Sequence, residues 1–221
     1  MLLLARRALL GLSLLATQRP SPGFATQAKD PRFNLALPDG FVASTKSASQ
    51  GTIYVAGNFV RAAVVSVTAW PLAALIAEDA AARTLPGIPA DPIRLPAEPR
   101  TIADLGDTAE LVRALLRVRD ASAGNGSTES VLDTFKLADD GSRVTFSFLT
   151  PISVANPDEL EKQQGVRSLS RRTEAAALLR PKTPSGPTVV AVWGSALEGD
   201  WEKDLGESIK RSISSFAWAA S

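Results

Sequence analysis

The sequence contains no cysteine and no histidine. Their absence excludes disulfides, thiol nucleophiles, zinc sites of the usual Cys/His type and every triad that depends on an imidazole. The sequence also has no nucleophile elbow, no phosphate-binding glycine loop and no dinucleotide-binding motif. Among the 23 acidic residues, no spacing places two carboxylates together in a cleft. We therefore do not expect an enzyme.

The sequence also lacks a large net charge of either sign. The chain carries 24 basic and 23 acidic side chains, and they are spread along it rather than clustered. This pattern excludes an electrostatic footprint for nucleic acid and predicts no polybasic membrane anchor. With 221 residues, 45% of them hydrophobic, the chain is long enough to bury one substantial core. We expect a globular protein whose partner contacts depend on shape.

The first 28 residues have the pattern of a targeting segment. They contain no acidic residue, and Arg6 and Arg7 precede an apolar run that is too short to span a bilayer. Small residues at the end of the segment predict cleavage after Ala28, and the paired arginines match a twin-arginine export signal. A mitochondrial transit peptide is the alternative. We expect residues 29–221 to form a single domain.

Alternating and β-branched segments predict antiparallel strands. Two short strands are expected around the turn at Pro38-Asp39-Gly40. TIYVAGNF and RAAVVSVTAWP predict a hairpin that turns at Ala56-Gly57-Asn58, with a central second strand. VLDTFKLADDGSRVTFSFLTPI predicts another hairpin, in which Asp139 and Asp140 form the turn, since the spacing of oxygen ligands in a calcium loop is lacking.

Helical spacing and propensity predict three helices. The first covers residues 72–82, and the second begins near Asp107, which is expected to form a capping box with Glu110. The third is expected to be capped by Asp200. An apolar stripe along this third helix should seal a core; it consists of Trp201, Leu205, Ile209, Ile213 and Phe216.

Two segments leave alternatives open. RRTEAAALL favours a helix by propensity, yet it precedes a turn and the strand at residues 188–193, which also makes it a possible hairpin partner. The proline-rich residues 84–99 are expected to form a surface connection, and a partner-docking loop is the alternative. Asn125 begins an N-glycosylation sequon, which would report on the compartment of the protein.

The order of these elements resembles the PsbP family of thylakoid-lumen proteins. The resemblance depends on LALPDGF, VVSV, DLGDTAELVRALL and, most strongly, GDWEKDLGESIKRSISSF near the C-terminus. It covers residues 33–218. It implies an α+β fold, an α-β-α sandwich with a central antiparallel sheet flanked by helices, in which RRTEAAALL is a strand. It also implies a single PsbP-like domain over residues 29–221.

The resemblance further implies a non-catalytic function. Members of the family are extrinsic subunits or assembly factors of the photosystems, so it predicts a thylakoid-lumen location in the chloroplast. The expected partners are photosystem subunits or assembly intermediates at the lumenal membrane surface, contacted peripherally. The calcium link of the family does not transfer, because no matching metal-ligating residues are present; we expect no cofactor, no metal site and no catalytic residue.

The sequence also leaves open an alternative function and indicates one contact residue, Trp218. The alternative is an exported small-ligand carrier, or a carboxylate-based enzyme, with a pocket beside the sheet. Trp218 follows the apolar stripe at the point where the terminal helix should fray. An exposed aromatic at this position is the expected partner contact.

Overall fold

The computed structural model describes residues 24–44, 51–82, 97–122 and 129–219. Most of the predicted targeting segment, most of the proline-rich segment and the sequon at Asn125 lie outside these residues. The strands are β1 (Phe24–Gln27), β2 (Phe33–Asn34), β3 (Ala36–Pro38), β4 (Val42–Ala43), β5 (Thr52–Asn58), β6 (Ala63–Pro71), β7 (Val131–Leu137), β8 (Arg143–Ile152), β9 (Leu169–Arg180), β10 (Thr188–Leu197) and β11 (Ala217–Trp218).

The helices are fewer and mostly short. They are α1 (Leu72–Ala82), a 3-10 helix (Ile102–Leu105), α2 (Thr108–Ser122), α3 (Pro157–Gln164), α4 (Glu198–Asp200), a π-helical turn (Trp201–Leu205) and α5 (Gly206–Ser215). Within the described ranges, none of them combines the length and the apolar character needed to cross a membrane.

Seven strands form one antiparallel sheet in the order β4-β5-β6-β10-β9-β8-β7. Two small two-stranded sheets, β1 with β3 and β2 with β11, lie beside it. The predicted α+β architecture, with a central antiparallel sheet between helices, is confirmed. The two central strands β9 and β10 pair along nearly their whole length, and β9 also pairs with β8 over ten positions.

Each face of the sheet has its own hydrophobic core. Helices α1 and α2 cover the first face, where Trp193, Phe146 and Phe148 pack edge-on and stacked against one another. Helix α5 covers the second face, where Ile209 and Ile213 meet the valines of β6 and β10. We call these the α2 face and the α5 face. The side chains of β10 are buried on both faces, as expected for a central strand.

The segment RRTEAAALL is a strand, part of β9. Its alanines alternate between the two cores: Ala175 and Ala177 face α2, and Ala176 faces α5. Helical propensity, worth only tenths of a kcal/mol per residue, loses here to pairing with β8 and β10 and to burial on both faces. The strand that the resemblance implied is therefore confirmed.

The predictions for the turn of the β5–β6 hairpin and for the start of α2 are wrong. The first hairpin turns at residues 59–62, not at Ala56-Gly57-Asn58, because β5 continues through Asn58 and the Asn58 side chain accepts a hydrogen bond from the Arg61 amide at 3.2 Å. Glu110 does not complete a capping box. Asp107 accepts from the Ala109 amide at 2.8 Å, whereas the Glu110 carboxylate pairs with Arg113 along the helix.

The terminal helical segment, residues 198–215, bears the predicted apolar stripe. All five stripe residues are buried, as Trp201, Leu205, Ile209, Ile213 and Phe216. The predicted cap at Asp200 is wrong, because the helical segment begins at Glu198, directly after β10, and Asp200 already has helical dihedrals. Its carboxylate instead lies 3.6 Å from the Arg61 guanidinium.

Strand β1 lies on the N-terminal side of the predicted cleavage site. It pairs with β3, and Ala28 is buried in the core of the α5 face. The Ala28 amide donates to the Leu35 carbonyl at 2.8 Å. Cleavage after Ala28, which stays a prediction, would remove β1 from this arrangement.

Helix α5 packs closely against the sheet at Gly194 of β10, which leads to the first prediction. A Cβ at this position would overlap the Ile209 side chain and lie 3.2 Å from Ile213 Cδ1. We expect Gly194→Ala to lower the free energy of unfolding by about 1–3 kcal/mol, the usual cost of overpacking a core. Urea unfolding measures this difference.

Gly199→Ala is the matched control. A Cβ at Gly199 meets nothing within 4 Å, and the residue lies in a helical turn. The control variant should unfold at the wild-type midpoint or slightly above it. Equal midpoints for the two alanine variants would contradict the close packing of α5.

Candidate functional site

An open cavity of about 440 Å³ lies beside α5, on the part of the α5 face that this helix leaves uncovered. We call it the polar groove. It is lined almost entirely by polar and charged side chains, which are Asp133, Thr134, Ser147, Arg172, Glu174 and Lys210, with Trp201 as the aromatic member. The groove is open and polar, so the alternative function, a small-ligand carrier or a carboxylate-based enzyme with a pocket beside the sheet, stays a prediction.

The strand register forms the floor of the polar groove. Thr134 of β7 lies opposite Ser147 of β8, Ser147 lies opposite Glu174 of β9, and Glu174 lies opposite Gly194 of β10. This row crosses four strands on one face of the sheet. Helix α5 covers the row at Gly194, where it packs closely, and leaves it open from Glu174 outward.

The polar side chains of the floor are linked to one another, except for Glu174. The Asp133 carboxylate accepts from the Arg172 guanidinium at 2.8 Å and from the Ser147 hydroxyl at 3.2 Å, and the hydroxyls of Thr134 and Ser147 are 2.8 Å apart. Asp133 reaches this position because the pairing of β7 with β8 shifts register between Leu132 and Thr134.

Glu174 is half-buried, and its carboxylate makes no hydrogen bond or ion pair with any residue that the structure describes. Burial raises the pKa of this carboxyl above its ordinary value. Lys210 and Arg172 act in the opposite direction, while Asp133 and Glu207 add to the rise. An incompletely neutralised carboxylate facing a cavity is a feature typical of binding sites.

The helical segment supplies the wall of the polar groove. Trp201 is 7% exposed and lines the groove from the π-helical turn, in which the Gly206 amide donates to the Trp201 carbonyl. A Cβ at Gly206 would lie 2.7 Å from the indole Nε1, so glycine permits this placement of the ring. Lys210, one turn further on, donates to Glu207 at 3.0 Å and also lines the groove.

A second surface lies at the tip of the β5–β6 hairpin, residues 59–62, which we call the Phe59 hairpin. Phe59 is 77% exposed and Val60 is 98% exposed. Val42 of the edge strand β4 lies opposite Gly57, and a Cβ at Gly57 would lie 3.6 Å from the Phe59 ring. Phe59 and Val42, itself 64% exposed, therefore lie on the same face of the sheet.

The Phe59 hairpin is held firmly in spite of its exposure. Arg61 donates to Asp204 of the π-helical turn at 2.8 Å, and Asn58 accepts from the Arg61 amide. Ala62 has a φ of +47°, a conformation that non-glycine residues rarely adopt, and its carbonyl accepts from Arg171 at 2.8 Å. These contacts from two other elements fix the backbone that presents the two apolar side chains.

Trp218, the expected partner contact, lies in β11 rather than at a frayed helix end. It pairs with Phe33 of β2, with ring centroids 6.0 Å apart, and the Arg180 guanidinium lies 4.6 Å from the centre of its indole. The ring is half-buried and packs against the core of the α5 face. Its main role is thus to close that core, and a partner contact at Trp218 stays a prediction.

Sequence reasoning missed both surfaces. The segment TIYVAGNF predicts Phe59 as part of the hairpin strands, whereas an aromatic next to Asn58 and followed by a valine and an arginine also fits a hairpin tip. Glu174 belongs to the segment RRTEAAALL, for which propensity favours a helix. As a strand, this segment places Arg172 and Glu174 on one face with Ala176. Charged residues on the apolar side of a central strand are the signal that was available.

Comparisons with known proteins find limited structural likeness at low sequence identity. No family model and no curated protein matches the sequence. The Ran-binding protein Mog1p of Saccharomyces cerevisiae is similar in structure, with 12% identity and a TM-score of 0.42 over 84% of this chain and 89% of that protein. LpqN of Mycobacterium tuberculosis, involved in cell envelope biogenesis, has 11% identity and a TM-score of 0.32 over 88% of this chain and 90% of that protein.

The expected membership of the PsbP family of thylakoid-lumen proteins is wrong. No family model matches the chain, that of this family included. The short motifs that suggested the family coincide with structural requirements of the fold: a turn glycine at Gly40 with a φ of +76°, a buried strand in β6 and the apolar stripe of the terminal helical segment. The fold that the resemblance implied is correct.

The raised pKa of Glu174 predicts how stability depends on pH. Because the folded state holds this proton more tightly than the unfolded state, the contribution of Glu174 to wild-type stability should fall as pH rises from about 4.5, the ordinary value, through the raised folded pKa. Glu174→Gln is neutral at every pH. We expect this variant to be more stable than wild type at pH 7 and equally stable below pH 4, as measured by urea unfolding across the pH range.

Glu202→Gln serves as the control for this experiment, because Glu202 is an exposed glutamate of the terminal helical segment. Its stability should follow the wild-type pH curve closely. A clear loss of stability at pH 7 in Glu174→Gln would show that the carboxylate forms a favourable ion pair in the folded protein, contrary to the structure.

Proposed function

We propose that the chain is a non-catalytic domain that binds a protein partner through the Phe59 hairpin. The exposure of Phe59 and Val60 on a fixed backbone is the observation that carries this proposal. An aromatic side chain left in water on a rigid loop gains most by entering a pocket of another protein, since little conformational entropy remains to be lost. Val42 extends the apolar area on the same face.

The positive charge of Arg171, beside the hairpin, indicates which chemical groups the partner surface should carry. Arg171 donates to the Ala62 carbonyl and to the Ser195 hydroxyl, and it has no carboxylate partner among the described residues. Burial lowers its pKa, which means that its charge is incompletely compensated. A partner surface with an apolar pocket for Phe59 and a carboxylate beside that pocket would satisfy both features.

The compartment and the partner's identity are separate questions. Export stays a prediction from residues 1–28, and a thylakoid-lumen location stays a prediction that the resemblance implied. The photosystem role depended on the resemblance to the PsbP family and has no independent support from the described residues. The proposal therefore defines the partner by its surface chemistry, and it applies whichever compartment contains the protein.

Phe59→Ser tests the proposal directly. Wild type and variant are immobilised and exposed to extract of the source organism, and retained proteins are compared by quantitative mass spectrometry. A specific partner should be retained by wild type and lost from Phe59→Ser. With the purified partner, calorimetry should show an affinity loss of roughly 30-fold or more, the scale of a central aromatic anchor, at unchanged unfolding midpoint.

Phe135→Ser is the matched control. Phe135 is also exposed, at 46%, and it lies on β7 at the opposite edge of the sheet. This variant should retain the same partner as wild type. If the two serine variants lose the same proteins, or neither loses any, the Phe59 hairpin is not the binding surface.

Arg61→Ala tests whether the hairpin must be held in place. The variant keeps Phe59 and Val60 but removes the pairs to Asp204 and Asp200. Because these are surface pairs, the free energy of unfolding should change by about 1 kcal/mol or less, whereas affinity for the partner should fall several-fold. Arg167→Ala, which removes two exposed ion pairs to Asp158 and Glu161 of α3, is the control. An unchanged affinity in Arg61→Ala would rule out the need for a fixed hairpin.

A further inference from the structure

We propose that the polar groove binds a small zwitterionic molecule, with its ammonium group on Glu174 and its carboxylate on Lys210 and Arg172. This site is distinct from the Phe59 hairpin and does not depend on the proposed protein-binding function. Some hydrogen-bonding groups of the groove are already paired within the protein, and others remain available to a ligand.

Glu174 is the acceptor that the protein leaves unused. An ionised carboxylate has about four sites for hydrogen-bond donors. None of them is filled by a described residue, although two cationic side chains lie close enough to influence its pKa. A half-buried carboxylate pays part of the cost of desolvation without a compensating pair, so a ligand that brings its own positive charge relieves this cost.

Lys210 and Arg172 are the donors that the protein uses only in part. Lys210 gives one hydrogen bond, to Glu207, and an ammonium has three N–H groups. Arg172 gives one, to Asp133, and a guanidinium has five. Neither donates to any other group of the described residues. The remaining N–H groups of both side chains are suited to the carboxylate of a ligand.

The arrangement favours a zwitterion over a simple cation or a metal ion. Each carboxylate of the groove is close to a positive side chain, and these two cations would repel a lone amine or a divalent ion. Among the described residues, no group of three carboxylates could hold a metal ion. A molecule with both charges complements all three side chains at once, and the hydroxyls of Thr134 and Ser147 remain available for its polar atoms.

The size of the cavity limits the ligand. About 440 Å³ open to solvent accommodates a molecule of the size of an amino acid, and Trp201 offers an aromatic wall for its methylene groups. The spacing between the two charges of the best ligand should therefore distinguish members of a series of ω-amino acids.

The test is a titration followed by NMR on the ¹⁵N-labelled chain at pH 7. Glycine, 4-aminobutyrate and 6-aminohexanoate are the zwitterionic probes; butylamine, butyrate and calcium chloride are the single-charge probes. At least one zwitterion should shift the Trp201 indole and the Ser147 amide signals along a saturating curve. Butylamine and butyrate, which satisfy only half of the site, should bind at least tenfold more weakly.

Two variants connect the signal to the site. Glu174→Gln and Lys210→Gln should each weaken the best zwitterion at least tenfold, whereas Glu202→Gln should bind it as wild type does. Their dispersed spectra report directly that each variant is folded. The proposal is overturned if no zwitterion saturates the signals, if butylamine or calcium chloride binds as tightly as the best zwitterion, or if Glu174→Gln keeps wild-type affinity.

Discussion

The packing of α5 against Gly194 is the contact on which the rest of the α5 face depends. Only a residue without a Cβ allows Ile209 and Ile213 to approach the β10 backbone so closely. This approach seals the core beneath the helix, and it brings Ser212 near enough to donate to the Ala36 carbonyl at 2.6 Å, which ties in the N-terminal strands. Arg143 reaches the last turn of the helix from β8 and donates to the carbonyls of Ile213 and Phe216. Contacts with β10, β3 and β8 together thus determine the position of the helix.

Both candidate surfaces depend on this same helical segment. Asp204 holds Arg61 and so fixes the Phe59 hairpin, while Trp201 and Lys210 form the wall of the polar groove. The two surfaces are otherwise unlike, because one is apolar and convex and the other is charged and concave. The π-helical turn thus contributes Trp201 to the wall of the groove and Asp204 to the support of the hairpin.

Periodicity predicted the helices and strands well where the apolar pattern extended over several turns. It failed where a single local contact determined a cap or a turn. The stripe from Trp201 to Phe216 spans four turns, so its burial could be read from spacing alone. The assignment of β9 required the fold, because its alanines have no β-propensity and gain their place from two neighbouring strands. The Asp200 cap failed because β10 runs into the helical segment without a loop. The polar groove could not be predicted in full, since it joins residues that are distant in sequence through the strand register and a bulge in β7.

The π-helical turn makes the orientation of Trp201 depend on the number of residues between β10 and α5. In a regular α-helix, residues four apart overshoot a full turn by about 40°, so a stripe with repeated four-residue spacing drifts around the helix. The wider turn over Trp201–Leu205 contains an additional residue and counteracts this drift, which keeps Trp201 above the same face as Ile209. Loss of a single residue here would restore a regular helix and rotate everything before it, turning Trp201 away from the sheet and Asp204 away from the hairpin. The number of residues in this stretch therefore determines the placement of Trp201 and Asp204 as much as their identity does.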